Sequence, residues 1–148
     1  MEEKADHVFA VVRLRGSATT EKDVEDANIK LKLAKVYNCT VIPADGTYKG
    51  MLHKAEQRIT WGEVSEAVLS RLLEKRGRNE DGSRIDPKKA KSLADKILKE
   101  KTLKGLGIKT VFKLSPPSGG LKSIRLHYPV GDLGYRGEKI NKLLERMI

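Results

Sequence analysis

The chain lacks the features that would place it outside a reducing, aqueous compartment. Cys39 is its single cysteine, so no disulfide can form within the chain, which agrees with a reducing compartment. No apolar run approaches the roughly 18 residues of a membrane-spanning helix, and residues 1–6 lack the apolar region of a signal peptide. These absences predict a cytosolic protein with no membrane partner.

Patterns for catalysis and metal binding are also scarce. His7, His53 and His127 lie far apart in sequence, and none stands beside Cys39 at a metal-ligand spacing. Residues 118–122, Ser-Gly-Gly-Leu-Lys, have neither the spacing nor the strand–loop–helix context of a nucleotide-binding loop. We therefore expect no enzymatic activity, no cofactor, no metal and no small-molecule substrate.

Aromatic residues are few and positive charge is abundant. Aromatics make up 5% of the chain, which argues against a platform that stacks single-stranded bases. The 148 residues include 30 Lys and Arg against 20 Asp and Glu, a formal net charge of +10. Such a field attracts polyanions, nucleic acid foremost. Recognition should run through the backbone and folded shape, as is usual for structured RNA.

Hydrophobic periodicity predicts a β-α-β-α-β order for the first half of the chain. The first helix carries a capping-box pattern at its start, and apolar residues then recur at spacings of three and four. The predicted elements are a strand over 7–14, a helix from Thr20 to about Val36, a strand over 39–44, a short helix after the turn at 45–47 and a strand ending at 59–60.

The second half should extend this sheet with helices and a hairpin. Thr60 and Glu63, spaced as a capping box, open a predicted helix that ends at Gly77, and a polar loop follows over 77–85. Asp86 and Pro87 open the next predicted helix. A strand over 110–114 with an antiparallel return over 123–128 comes next, and a closing helix faces Ile140, Leu143, Leu144 and Met147 inward. We therefore predict an α+β protein with a β-α-β-α-β core over 7–62. A helical and β-hairpin C-terminal extension over 63–148 packs on it as a single structural unit.

A proline- and glycine-rich segment over 113–125, which we call the tongue, is the strongest candidate for function. Pro116 and Pro117 stiffen it, and Gly119 and Gly120 can adopt positive φ and permit close approach. Successive amides in such a turn form a donor site that suits a phosphate. Cations and hydroxyls surround it: Lys113, Ser115, Ser118, Lys122 and Arg125. The alternative is an ordinary Pro-Gly turn between two strands.

Other basic residues are placed less specifically. Arg13 and Arg15 share one side of the first strand by period two, and Gly16 leaves room beside them. Lys49 and Lys54 stay outside on the second helix. The fourth helix carries five lysines on its outer face, for which a solvated surface is an equal alternative.

Four segments together resemble a known family. They are Val11–Gly16, Ile59–Gly62, Phe112–Lys122 and Gly131–Asn141. In this order they resemble the long, archaeal-type form of the ribosomal large-subunit protein thirty family, over essentially residues 8–148. The tongue and the C-terminal segment are absent from the short form of that family, which makes the resemblance specific.

The resemblance implies a protein without catalytic chemistry, whose core is related to the ferredoxin-like topology. It implies binding to ribosomal RNA of the large subunit near 5S RNA, among neighbouring ribosomal proteins, in cytoplasmic ribosomes. The candidate RNA contacts are Arg13, Arg15, Lys49, Lys54, Lys113, Ser115, Ser118, Gly119, Gly120, Lys122, Arg125, His127, Tyr135, Arg136 and Lys139. The chain lacks the basic N-terminal arm of eukaryotic relatives, and the 77–85 loop varies within the family.

Two alternatives belong to other functional classes. A regulatory α+β module would need a concave apolar pocket with a few converging polar groups for a small ligand. A general nucleic-acid-binding protein would bind duplex DNA as well as it binds RNA.

Overall fold

A five-stranded sheet organises the molecule in the computed structural model, which describes residues 8–16, 21–43, 46–100 and 107–148. Its strands are β1 (Val8–Arg13), β2 (Asn38–Pro43), β3 (Ile59–Glu63), β4 (Phe112–Lys113) and β5 (Gly134–Tyr135). The helices are α1 (Lys22–Lys30), α2 (Gly46–Ala55), α3 (Glu66–Arg76), α4 (Pro87–Glu100) and α5 (Ile140–Met147), with a 3-10 turn over Gly137–Lys139.

The strand order is β4-β2-β1-β3-β5, with β1 at the centre. β1 pairs antiparallel with both β2 and β3, so the β-α-β-α-β order predicted for the first half is confirmed. The extension supplies both edge strands: β4 pairs antiparallel with β2, and β5 pairs parallel with β3. This mixed sheet with helices confirms the α+β class and is consistent with a ferredoxin-like relative.

Both faces of the sheet are covered, which explains the unbroken apolar run of β1. Phe9 and Val11 face a cluster that includes buried residues of α1 and α2. Val8, Ala10 and Val12 face a larger cluster with residues of α3, α4 and α5. A strand buried on both faces loses the alternation of a half-exposed strand, and all six residues of β1 are buried.

Two predicted helix boundaries were wrong. α1 ends at Lys30, because Lys32 adopts a φ of 63° and the chain leaves the helix well before Val36. The proposed cap at Thr20 lies outside the described residues, as does His7. Thr60 and Glu63 belong to β3, and α3 begins after Ser65, whose Oγ accepts a hydrogen bond from the Val68 amide at 3.4 Å.

Three other predicted features of the helices are confirmed. α3 ends before Gly77, where a Cβ would lie 2.4 Å from the Leu73 carbonyl oxygen. Glycine is required there because of this lack of space and not because of a positive φ, since its φ is −68°. Asp86 opens α4 by accepting a hydrogen bond from the Lys88 amide at 3.0 Å. The four apolar residues predicted to face inward from the closing helix are buried in α5.

The predicted hairpin does not form. Residues 123–128 contain no strand, and β4 spans two residues that pair with β2. Two amides within 123–128 form hydrogen bonds to other partners. Ser123 donates to the Asp132 carboxylate at 3.1 Å, and Tyr128 donates to the Leu133 carbonyl at 2.8 Å. None of the described helices is long and apolar enough to cross a membrane.

Candidate nucleic-acid interface

The tongue, the segment over 128–139 and α5 together enclose an open cleft of about 640 Å³, which we call the tongue–α5 cleft. Gly119 and Gly120 lie exposed at its rim with φ of 82° and 72°, values that favour glycine. Its basic lining residues are Lys122, Arg136, Lys139, Lys142 and Arg146. Exposed backbone beside converging cations is an arrangement that suits a phosphate chain.

Hydrogen bonds fasten the tongue along the C-terminal end of α5. The Arg146 Nε donates to the Ser118 carbonyl at 2.8 Å, and its Nη2 donates to the Gly120 carbonyl. In return, the amides of Ser118 and Ser115 donate to the carbonyls of Arg146 at 3.0 Å and Met147 at 3.1 Å. The tongue is therefore held against the body of the protein while its glycines and Lys122 stay exposed.

Asp132 holds the other side of the tongue. Its buried carboxylate accepts hydrogen bonds from the Lys122 amide at 2.5 Å and the Ser123 amide at 3.1 Å. The same carboxylate forms an ion pair with Arg136 at 3.0 Å. Arg136 also donates from Nε to the Thr60 Oγ1 at 2.9 Å, which ties this network to β3.

This network limits the backbone amides that remain available to a phosphate. The amides of Lys122 and Ser123, just after the glycine turn, already donate to Asp132, so they are not available to an external anion. The Gly120 amide donates to the Pro117 carbonyl at 3.1 Å. Anion binding in the cleft must therefore rest mainly on side-chain cations.

Those side-chain cations are available. Lys122, Lys139 and Lys142 are exposed, and none of the three forms an ion pair with an acidic residue among the described positions. Lysine presents a compact, strongly hydrated charge on a flexible stem, which suits contacts to phosphates at varied positions. The cleft thus offers positive charge that forms no ion pair with the described acidic residues.

Two predicted contact residues have structural positions instead. Arg13 is fully buried; it pairs with Glu25 at 2.9 Å and donates to the Leu33 carbonyl at 2.7 Å, so it joins β1 to α1 and the turn after it. Arg136 is 8% exposed and is committed to Asp132. Neither guanidinium can reach an external polyanion without breaking these bonds, and we remove both from the candidate contacts.

The remaining candidates divide among several surfaces. Lys49 and Lys54 are exposed on α2, which packs on the face of the sheet opposite α5. Arg15 is half-buried, and its Nη1 donates to the Gln57 carbonyl at 3.4 Å. Arg125, at the end of the tongue, and His127, two residues beyond it, are both exposed. The structure does not bring these residues into the tongue–α5 cleft.

A second basic cleft of about 260 Å³ lies at the β4 edge of the sheet. Lys113 lines it with Arg76, Arg78 and Lys109. Ser115 is joined to this edge because its Oγ accepts a hydrogen bond from Arg76. The tongue therefore begins at one basic cleft and ends in another.

Sequence reasoning missed Lys142 and Arg146, although a signal was present. With Lys139 they stand at spacings of three and four, which places them on one side of α5 beside its apolar stripe. Only the apolar stripe entered the prediction. The charged stripe matters because the tongue folds across it, a long-range contact that periodicity cannot supply.

Metal-ligating side chains do not gather among the described residues. No cluster of three or more His, Cys, Asp or Glu that could hold a metal occurs among them. Cys39 is fully buried, and burial raises the pKa of its thiol to about 12. This confirms the prediction that Cys39 is a small buried residue of a strand.

Comparison with known proteins gives close relatives along nearly the whole chain. No family model matches. The chain is 39% identical to "Large ribosomal subunit protein uL30" of Methanosphaera stadtmanae over 152 residues, covering 95% of this chain and 100% of that protein. It is 38% identical to the protein of the same name from Archaeoglobus fulgidus over 159 residues, and 39% identical to that from Nanoarchaeum equitans over 153. These matches cover 95% of this chain and 99% of each relative. Identity at this level over this length establishes that the chain belongs to the family of large ribosomal subunit protein uL30.

Proposed function

We propose that this chain is a structural component of the large ribosomal subunit and binds ribosomal RNA through the tongue–α5 cleft. It acts in cytoplasmic ribosomes, without a catalytic step. The observation that carries the proposal is the meeting of Lys122, Lys139 and Lys142 around an exposed glycine turn, with no ion pair to a described acidic residue.

The cleft would act by neutralising phosphates. The tongue is fastened to α5 by Arg146 and to the 131–136 segment by Asp132 before RNA binds, so little backbone entropy remains to be lost. Backbone and cations then position the RNA, while the bases carry little of the contact. The second basic cleft, at the β4 edge where the tongue begins, offers a separate site for a phosphate.

The partners that fit this proposal are ribosomal RNA of the large subunit, at or near 5S RNA, and adjacent ribosomal proteins. The resemblance to the family supports the 5S neighbourhood. A positive field of this size also attracts duplex DNA. Competition distinguishes the two: large-subunit RNA should displace the protein from a labelled RNA fragment at lower concentration than duplex DNA does.

Charge reversal in the cleft tests the proposal. Lys122→Glu and Lys142→Glu should leave the fold intact and reduce co-sedimentation with the large subunit in magnesium. Lys30→Glu makes the same change of charge on α1, on the opposite face of the sheet, and should co-sediment as the unaltered protein does. Equal incorporation of all three variants would remove the cleft from the proposal.

Salt dependence gives a second readout on isolated RNA. A plot of log affinity against log salt concentration has a negative slope. Each phosphate contact that is lost should reduce the magnitude of this slope by about 0.9 on a duplex or about 0.7 on single strands. Lys142→Glu should therefore flatten the slope, whereas Lys142→Arg, which keeps the charge, should not. Affinity that stayed constant from low to physiological salt would contradict an electrostatic interface.

A further inference from the structure

An aromatic pocket of about 240 Å³ lies against the face of the sheet opposite the tongue–α5 cleft. Phe9 and Trp61 form its floor and are 5% and 4% exposed, while Tyr135 forms a wall with 45% of its surface open. The Tyr135 ring centroid lies 6.2 Å from that of Phe9 and 6.3 Å from that of Trp61. The His53 ring meets Trp61 edge-on at 6.1 Å.

Polar groups stand at defined points around these rings. The Tyr135 hydroxyl donates to Glu63 Oε1. Burial, followed by the hydrogen bond to Glu63, raises the pKa of Tyr135 to about 12, so the phenol remains a donor at neutral pH. Glu63 lines the pocket, and its Oε2 accepts no hydrogen bond from the described residues. Lys49 is exposed at the rim, where it can meet an anion.

The size and shape of the pocket favour one planar ring. Its volume is below the roughly 300–1,000 Å³ of sites for larger small molecules. Aromatic walls stack on flat π-systems, and proteins that recognise RNA by sequence take unstacked bases between aromatic side chains and hydrogen-bond their edges. The three kinds of group in this pocket match the three parts of a nucleotide. The carboxylate can accept from the base edge, the aromatic ring can stack on the base face, and the cation at the rim can contact the phosphate.

The pocket is also continuous with the proposed RNA interface. Tyr135 and Arg136 are neighbours in sequence and point to opposite faces of the sheet. Tyr135 therefore lines the aromatic pocket, while Arg136 and Lys139 line the tongue–α5 cleft. The two sites therefore meet at the sheet edge at β5, where a base of a strand held in the cleft could turn into the pocket.

We propose that the aromatic pocket receives a single unstacked nucleobase of ribosomal RNA, stacked on Tyr135, with Glu63 accepting from its N–H groups and Lys49 contacting its phosphate. Guanine is favoured, because it presents two adjacent N–H donors to a carboxylate where uracil presents one. The inference rests on the proposed RNA-binding function and adds a base-specific contact to it. An apolar side chain of a neighbouring ribosomal protein is the competing occupant.

Trp61 allows a direct binding assay, because it is the only tryptophan of the chain. Titration of the full chain with guanosine 5′-monophosphate should change its fluorescence saturably, and uridine 5′-monophosphate should bind more weakly. Glu63→Gln should weaken the binding of guanosine monophosphate by roughly 5- to 150-fold, the range for loss of a good bidentate contact to a base. Tyr135→Ala should abolish the signal, whereas Tyr135→Phe keeps the ring and should retain most of it.

Cross-linking in assembled subunits identifies the occupant. With p-benzoylphenylalanine at position 135, the inference predicts a cross-link to one nucleotide of the large-subunit RNA. A cross-link to protein alone, or none in subunits that contain the chain, would overturn it, as would equal responses to all four nucleoside monophosphates. Lys142→Glu should leave the fluorescence response unchanged. Loss of co-sedimentation in that variant alone therefore reports on the cleft, and loss of the guanosine response in the Tyr135 variant alone reports on the pocket.

Discussion

Replacing Asp132 by asparagine should lower the free energy of unfolding by about 3 kcal/mol. Removal of one partner of a buried ion pair costs about 3–5 kcal/mol, because the other charge is left uncompensated. The side chains of Asp132 and Arg136 are 7% and 6% exposed, so the pair is buried. The lower end of the range applies, since Arg136 keeps its bonds to the Thr60 hydroxyl and the residue 132 carbonyl. Asparagine has nearly the same volume, so no cavity adds to the effect.

A matched control exists on α4. Asp95 and Lys99 form an ion pair with the same i,i+4 spacing at 3.1 Å, but their side chains are 51% and 75% exposed. Asp95→Asn should therefore cost at most about 1 kcal/mol. Urea unfolding followed by Trp61 fluorescence measures the free energy of unfolding of both variants. In thermal unfolding, Asp132→Asn should lower the melting temperature by roughly 6–12 °C. Equal shifts of the urea midpoint in the two variants would refute the claim that burial makes the Asp132 network important.

The remaining predictions concern two glycines and the buried thiol. Gly62→Ala should destabilise the fold by about 1–3 kcal/mol, because its Cβ would lie 1.9 Å from the Gly137 carbonyl oxygen. Gly50→Ala should stabilise the fold by up to about 1 kcal/mol, because a Cβ on this residue of α2 would meet nothing within 4 Å. Native Cys39 should not react with a disulfide reagent at pH 8 but should react fully in urea; rapid native reaction would contradict its burial. The folded pKa of Cys39, about 12, lies above its ordinary 9.0, so its contribution to stability is complete below pH 9 and is lost as pH rises from 9 to 12. A Cys39→Ala variant should lose less stability over that interval in urea titrations.

Local patterns predicted the elements of this fold better than their boundaries. The apolar run of β1 and the apolar stripe of α5 each reflect direct burial, so composition and spacing were sufficient. The end of α1 depended on a positive φ at Lys32, a residue type that gives no warning of it. The capping pattern at Thr60 and Glu63 failed because β1 pairs with those residues, and pairing across the sheet overrides a local signal.

In the candidate site, too, local features were predicted well and features that depend on distant contacts were not. The glycine turn and Lys122 were predicted from the sequence, because their conformational freedom and charge are local properties. The hairpin failed because Asp132, nine residues beyond Ser123, takes the amides that a strand would have used. Arg13 looked like a surface cation by period alone, yet Glu25 and the Leu33 carbonyl hold it inside. The assignment of each cation to a partner or to solvent depends on contacts distant in sequence.

Directed cleavage of RNA from a single engineered thiol tests the central claim most directly. Since the native thiol is buried, Lys142→Cys and Lys30→Cys should each provide one reactive site for an iron chelate that generates hydroxyl radicals. In reconstituted large subunits, position 142 in the tongue–α5 cleft should cut the ribosomal RNA strongly, and position 30, which lines neither that cleft nor the aromatic pocket, should cut it weakly. Strong cleavage from position 30 with none from position 142 would contradict the account.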